Sequence, residues 1–99
     1  MVEIKIFLDE GDRYEDQLMY EYIMRYLMHH GIQGASILPV IAGFGHKHHL
    51  HLPKSFGNVD EVPLVLMFID DEEKVDVVLP HLKEIIKKDL IVKTKVSSL

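Results

Sequence analysis

An α+β domain in the order β-α-β-β-α-β is what this sequence predicts, and three observations predict it. Apolar residues alternate over residues 2–8, with Val2, Ile4, Ile6 and Leu8 on one side of an extended chain. Apolar residues at helical spacing fill two longer stretches, 13–30 and 70–88. Two strand-like runs, 34–42 and 63–69, lie between those stretches, and a last run at 90–96 follows the second.

Each element has its own signals. The first strand ends at Glu10-Gly11-Asp12, a turn. Asp12 with Glu15 has the spacing of a capping box, and Gly31 stands where a helix ends in a left-handed residue. Between them Leu18, Tyr22 and Tyr26 share a line with Met19, Ile23 and Leu27 beside it. Gln17, Glu21, Arg25 and His29 form the wet face of that helix. Pro39 lies inside the second strand and cannot donate to a ladder, so that strand is expected at a sheet edge or bulge. The third strand, Pro63 to Ile69, has no polar face. The second helix is acidic at its start (Asp70 to Glu73) and basic toward its end (Lys83, Lys87, Lys88), as the helix dipole favours. Its apolar spacing continues through Pro80, where a kink is expected.

Ninety-nine residues suffice for one domain, 1–99, with a long connection at about 43–62. A formal net charge of −5 argues against a whole-surface nucleic-acid binder, so no nucleic-acid partner is expected. The absence of cysteine removes disulfides and thiolate chemistry. The longest apolar run, Leu64 to Ile69, is too short to cross a bilayer. Residues 1–5 enter the first strand directly with no signal-peptide organisation, so the expected location is cytoplasmic.

The element order is the split βαβ of ferredoxin-like folds. Right-handed crossovers place both helices on one face of an antiparallel sheet with the strands ordered fourth, first, third, second. The third strand is then central and the second, with Pro39, is an edge. The uncovered face would still be apolar along the third strand, and each large apolar side chain left wet forgoes about 1.5–3 kcal/mol. A homo-oligomer of closed symmetry resolves this. Coverage by the connection 43–62 is the other resolution.

The same topology gathers one end of the sheet. The first and second strands finish there, the first helix begins there, and the second helix ends there. Arg13, Lys87 and Lys88, with the glycines of Gly43-Phe44-Gly45, are therefore candidates for an anion or phosphate site. Arg13 offers a bidentate fork, and the lysines act as point charges. Surface pairing with Asp12, Glu15 or Asp89 is the structural alternative for these cations. Gly43 and Gly45 allow close approach of the backbone while Phe44 stacks on a base; a strand-end turn with a core phenylalanine is the alternative. Lys93 and Lys95 are secondary candidates.

His46, His48, His49 and His51 form a second candidate site, since imidazoles in pairs bind divalent transition metals. A solvated, pH-sensitive loop is its plain alternative. The four tyrosines read as core and interface. There is no Ser-His-Asp setting and no carboxylate pair with a task, so an enzyme is not expected.

Several motifs together resemble one family. They are Asp12-Arg13, Met19-Tyr20-Glu21, Gly31-Ile32-Gln33-Gly34-Ala35, Gly43-Phe44-Gly45 with His51 beyond it, and the segment from Glu61 to Leu82. The chain is similar in these to the PII-like proteins of domain-of-unknown-function family 190. The resemblance implies a PII-like homotrimer that binds an adenine nucleotide (ATP, ADP or AMP) or a similar anionic effector between subunits. It implies that the 43–62 loop responds to the ligand and signals to a regulated partner protein, such as a membrane transporter or channel. The short turn after the second helix lacks the glycine-rich phosphate cradle of the nitrogen-regulatory members. The functional alternative is a metal-binding or metal-sensing oligomer built on the histidine run.

Overall fold

The computed structural model describes residues 1–44, 62–87 and 90–99. The elements in chain order are β1 (Val2–Asp9), β2 (Arg13–Tyr14), β3 (Gln17–Leu18), α1 (Met19–His29), β4 (Ala35–Pro39), β5 (Pro63–Asp70), α2 (Glu72–Ile85) and β6 (Leu90–Lys95). Among the described residues, four strands form one antiparallel sheet in the order β4-β5-β1-β6, and β2 with β3 forms a separate ribbon. This is the expected ferredoxin-like order, with β5 inside and β4 at the edge.

Alternation in β1 and β5 decides what is buried. The register sets Ile4 opposite Phe68 and Ile6 opposite Leu66, and all four are buried. They form one core with Ile23 and Leu27 of α1 and Val75, Val78 and Leu82 of α2. The other side chains of the same strands point away from the helices. There Phe7, Leu38, Ile69 and Leu90 are 41%, 47%, 38% and 61% exposed, with Val65, Met67 and Val92 half-buried among them. Among the described residues, one face of the sheet is thus sealed by helices, and the other has no helix on it and carries these apolar side chains beside Glu3 and Lys5.

Helix α1 starts later than its apolar spacing predicts. Residues 13–18, expected as helix, form the β2–β3 ribbon, and the N-cap is Leu18, which makes no side-chain cap hydrogen bond. The expected capping box is absent because Asp12 is engaged elsewhere: its Oδ2 accepts the Asp9 N–H at 3.0 Å. Its carbonyl accepts the Met19 N–H at 2.7 Å, closing the ribbon at its base. Glu15 makes the reversal with φ +55°, a left-handed conformation uncommon for such a residue.

The far end of α1 matches expectation. Gly31 has φ +79°, the Ile32 N–H reaches Leu27 O at 3.1 Å and the Gly31 N–H reaches Met28 O at 3.3 Å. Those two bonds make a Schellman motif, and Ile32 is buried with Leu27 as that motif favours.

Asp70 was expected to open the second helix, but it is the last residue of β5 and is nearly fully buried. Its carboxylate accepts the Gln33 N–H at 3.0 Å and the Asp71 N–H at 2.8 Å, with Lys74 Nζ at 3.7 Å. It thereby ties the α1–β4 turn to the start of α2. These groups hold its pKa below the ordinary carboxylate range, the Gln33 N–H first, against the opposing effect of burial. Helix α2 then continues through Pro80 without a break.

Candidate functional site

β1 and β4 both pair antiparallel with β5, so they run the same way and finish at one end of the sheet. Asp9 lies opposite Pro63 there, and Pro39 opposite Leu64. Two backbone bonds close that end: Glu10 N–H to Val62 O at 2.8 Å, and Val40 N–H to Pro63 O at 3.0 Å. Leu90 faces Phe7 at the same end, so α2 finishes beside it. The topology therefore places the ribbon with Arg13, the root of the long connection at Gly43 and Phe44, and Lys87 at one end of the sheet.

Arg13 is exposed on the ribbon, and its guanidinium donates to Asp16 O at 2.7 Å. A guanidinium carries further N–H donors beyond the one in this bond. Phe44 is 71% exposed, so the alternative of a core phenylalanine is not what this chain adopts. A side-chain carbon built on Gly43 would meet Val40 Cγ1 at 3.7 Å, an ordinary contact. Lys87 is exposed just beyond α2. Gly45 and Lys88 lie outside the described residues, and so do His46, His48, His49 and His51. Among the described residues, no group of three or more His, Asp or Glu side chains is arranged to hold a metal ion.

Lys93, a secondary anion candidate, is engaged within the chain. Its Nζ is 2.7 Å from Glu72 and 3.8 Å from Asp76, which fastens β6 to the start of α2. The hydrogen bond lowers the pKa of Glu72 and raises that of Lys93.

The site also has a feature that sequence reasoning missed. Tyr14 of the ribbon lies on Tyr22 with ring centroids 4.5 Å apart, Tyr22 stacks toward Tyr26 at 6.2 Å, and Tyr26 meets His30 at 4.1 Å. His81 of α2 joins this column from the side, 4.7 Å from Tyr26, with its Nε2 2.7 Å from the Tyr22 hydroxyl. Burial raises the pKa of Tyr14, aided by Glu15, Tyr22 and Glu84, and burial with Tyr22 raises that of Tyr26. The spacing of Tyr22, Tyr26 and His30 by four residues was a visible signal for the column. Nothing local pointed to His81.

At the other end of the sheet, Met24, Met28, Ile32 and Ala35 line a shallow apolar groove with Arg25 at its rim, and Arg25 donates to Gln17 Oε1. Among the described residues no helix is long and apolar enough to cross a membrane.

Solved structures share this fold. The fold matches CPII, a nitrogen regulatory PII-like protein from Thiomonas intermedia K12, in a structure with bound ADP, AMP and bicarbonate. That match has a TM-score of 0.66 and 14% identity over 96% of this chain and 88% of that one. A second CPII structure, bound to ADP and bicarbonate, matches with a TM-score of 0.65 over 96% of this chain and 84% of that one, again at 14% identity. The fold is thus PII-like. By sequence, the UPF0166 protein MJ1524 of Methanocaldococcus jannaschii is 37% identical over 86 residues, 87% of this chain and 79% of the relative. A UPF0166 protein of Aquifex aeolicus is 30% identical over 80 residues, 81% of this chain and 76% of the relative. With residues 1–98 matching the model of DUF190, described as "Uncharacterized ACR, COG1993", the chain belongs to the DUF190 family.

Proposed function

We propose that this chain is one subunit of a homotrimeric, cytoplasmic PII-like regulator that binds an adenine nucleotide between subunits. The occupied site then acts on a partner protein through the 43–62 connection, and a membrane transporter or channel is the partner class in view. The role is regulatory, and no catalytic step is assigned.

One observation carries the reading: among the described residues, helices seal one face of the sheet, and no helix lies on the other, where Phe7, Leu38, Ile69 and Leu90 are exposed. Burying that second face against sister subunits returns roughly 25 cal/mol for each Å² removed from water. It also brings a neighbour's surface to the sheet end that holds Arg13, Phe44 and Lys87. The ligand class is supported by CPII, which shares the fold and is bound to ADP and AMP. A cation fork, a point charge and an exposed ring are groups that phosphate and a purine base use. Gly43, Gly45 and Lys88 complete the proposed set.

Coupling follows from linkage: a nucleotide that prefers one arrangement of the connection populates it. Calorimetric titration of ADP, AMP and ATP into the assembled protein tests the ligand class. Binding of at least one of them, weakened by Arg13→Gln, is expected. No heat from any of the three would remove the nucleotide from the account.

A further inference from the structure

We propose that His81 is a positioning residue for Arg13, acting through Tyr22 and Tyr14. The inference rests on the nucleotide reading above for its functional arm, and on geometry for the rest.

The β2–β3 ribbon needs external support. Each of its strands is two residues long, and its ladder pairs only Arg13 with Leu18 and Tyr14 with Gln17. A two-stranded hairpin is marginal by itself even when much longer. It also carries a left-handed Glu15 at its reversal, a conformation that costs free energy and persists where surroundings enforce it.

The support comes from the aromatic column. Successive side chains of a strand point to opposite sides. In β2 the half-buried Tyr14 turns toward α1, and the exposed Arg13 turns to solvent. Whatever holds the Tyr14 ring therefore sets the direction of the Arg13 fork. Tyr14 rests on Tyr22, and the Tyr22 hydroxyl is hydrogen-bonded to His81 Nε2 across a separation of 59 residues. His81 is held in turn against the Tyr26 ring, and its edge faces Tyr14 at 6.4 Å. One imidazole from α2 thus packs against Tyr26 and Tyr22, the ring on which Tyr14 rests, and faces Tyr14 itself edge-on. Tyr22 is anchored at its hydroxyl as well as its ring, which removes the freedom to rotate that an unanchored ring would keep.

Hydrogen exchange of the full-length protein, read segment by segment, tests this together with ADP titration. In His81→Ala, amides of residues 13–18 should exchange about tenfold faster, with β1 and β5 unchanged. His81→Phe, which keeps the ring without the hydrogen bond, should fall between, and serves if the alanine variant does not fold. Tyr14→Phe, which keeps the ring on Tyr22, should match the parent. ADP affinity should fall in His81→Ala, and the double variant Arg13→Gln/His81→Ala should bind no more weakly than Arg13→Gln. An unchanged ribbon, a uniform rise across all amides, or a double variant weakened by the product of the single effects would overturn the proposal. If the parent takes up no ADP, the nucleotide reading fails alone, and the exchange of residues 13–18 still decides the role of His81.

Discussion

The two faces of the sheet are made from the same strands and have opposite fates. Ile4, Ile6, Leu66 and Phe68 face the helices and are almost wholly buried. Their neighbours Phe7, Val65, Met67 and Ile69, one residue along, face nothing else in the described chain. An exposed antiparallel face ordinarily alternates into polar residues. Glu3 and Lys5 do so on β1, where they pair with each other at 3.4 Å, but β5 does not. On the proposed trimer the difference has a cause: hydrophobic pattern would record burial between subunits as well as within the chain.

Substitutions on the two faces should separate these roles. Phe68→Ala should have the largest effect on stability, lowering it by about 3–5 kcal/mol in urea unfolding. A loss below about 1 kcal/mol would mean the sealed face is not the core. Phe7→Asp, one register away on the other face, should act on assembly: sedimentation should show single chains with a native far-ultraviolet spectrum. An unfolded Phe7→Asp variant would erase the contrast between the faces.

Asp70 sharpens the comparison because it is a charged group on the sealed face. Asp70→Ala strands the Gln33 and Asp71 N–H groups, at a cost of about 1–3 kcal/mol. Since its folded pKa is depressed, its contribution is complete above the unfolded value near 3.9 and fades as pH falls through the folded value. Urea midpoints taken from pH 5 down to pH 2 should therefore drop for the parent more than for Asp70→Asn; parallel curves would contradict this. The smallest effect expected is that of Gly31→Ala at the Schellman turn, about 1–2 kcal/mol from its positive φ, read by thermal melting.

Much of the fold was legible because alternation in β1 and helical spacing in α2 each fix one buried face, and the short apolar run of β5 marks an inner strand. The ribbon was not legible. Leu18, Tyr22 and Tyr26 extend the helical spacing back past the true start, and Glu15 has no preference for the left-handed turn it makes. At the candidate site, Arg13 was singled out by its neighbours in the sequence and by topology, and its exposure on a ribbon was not foreseen. The aromatic column's link to His81 was not, because a contact across 59 residues leaves no local mark. Phe44 shows the same limit: nothing in Gly-Phe-Gly distinguishes a core ring from an exposed one.

Sedimentation equilibrium of the unmodified protein at micromolar concentration tests the central claim most directly. A mass three times that of the chain is predicted, because sister sheets would cover Phe7, Val65, Leu38 and Ile69. A mass of one chain at every concentration would leave those side chains in water and contradict the account.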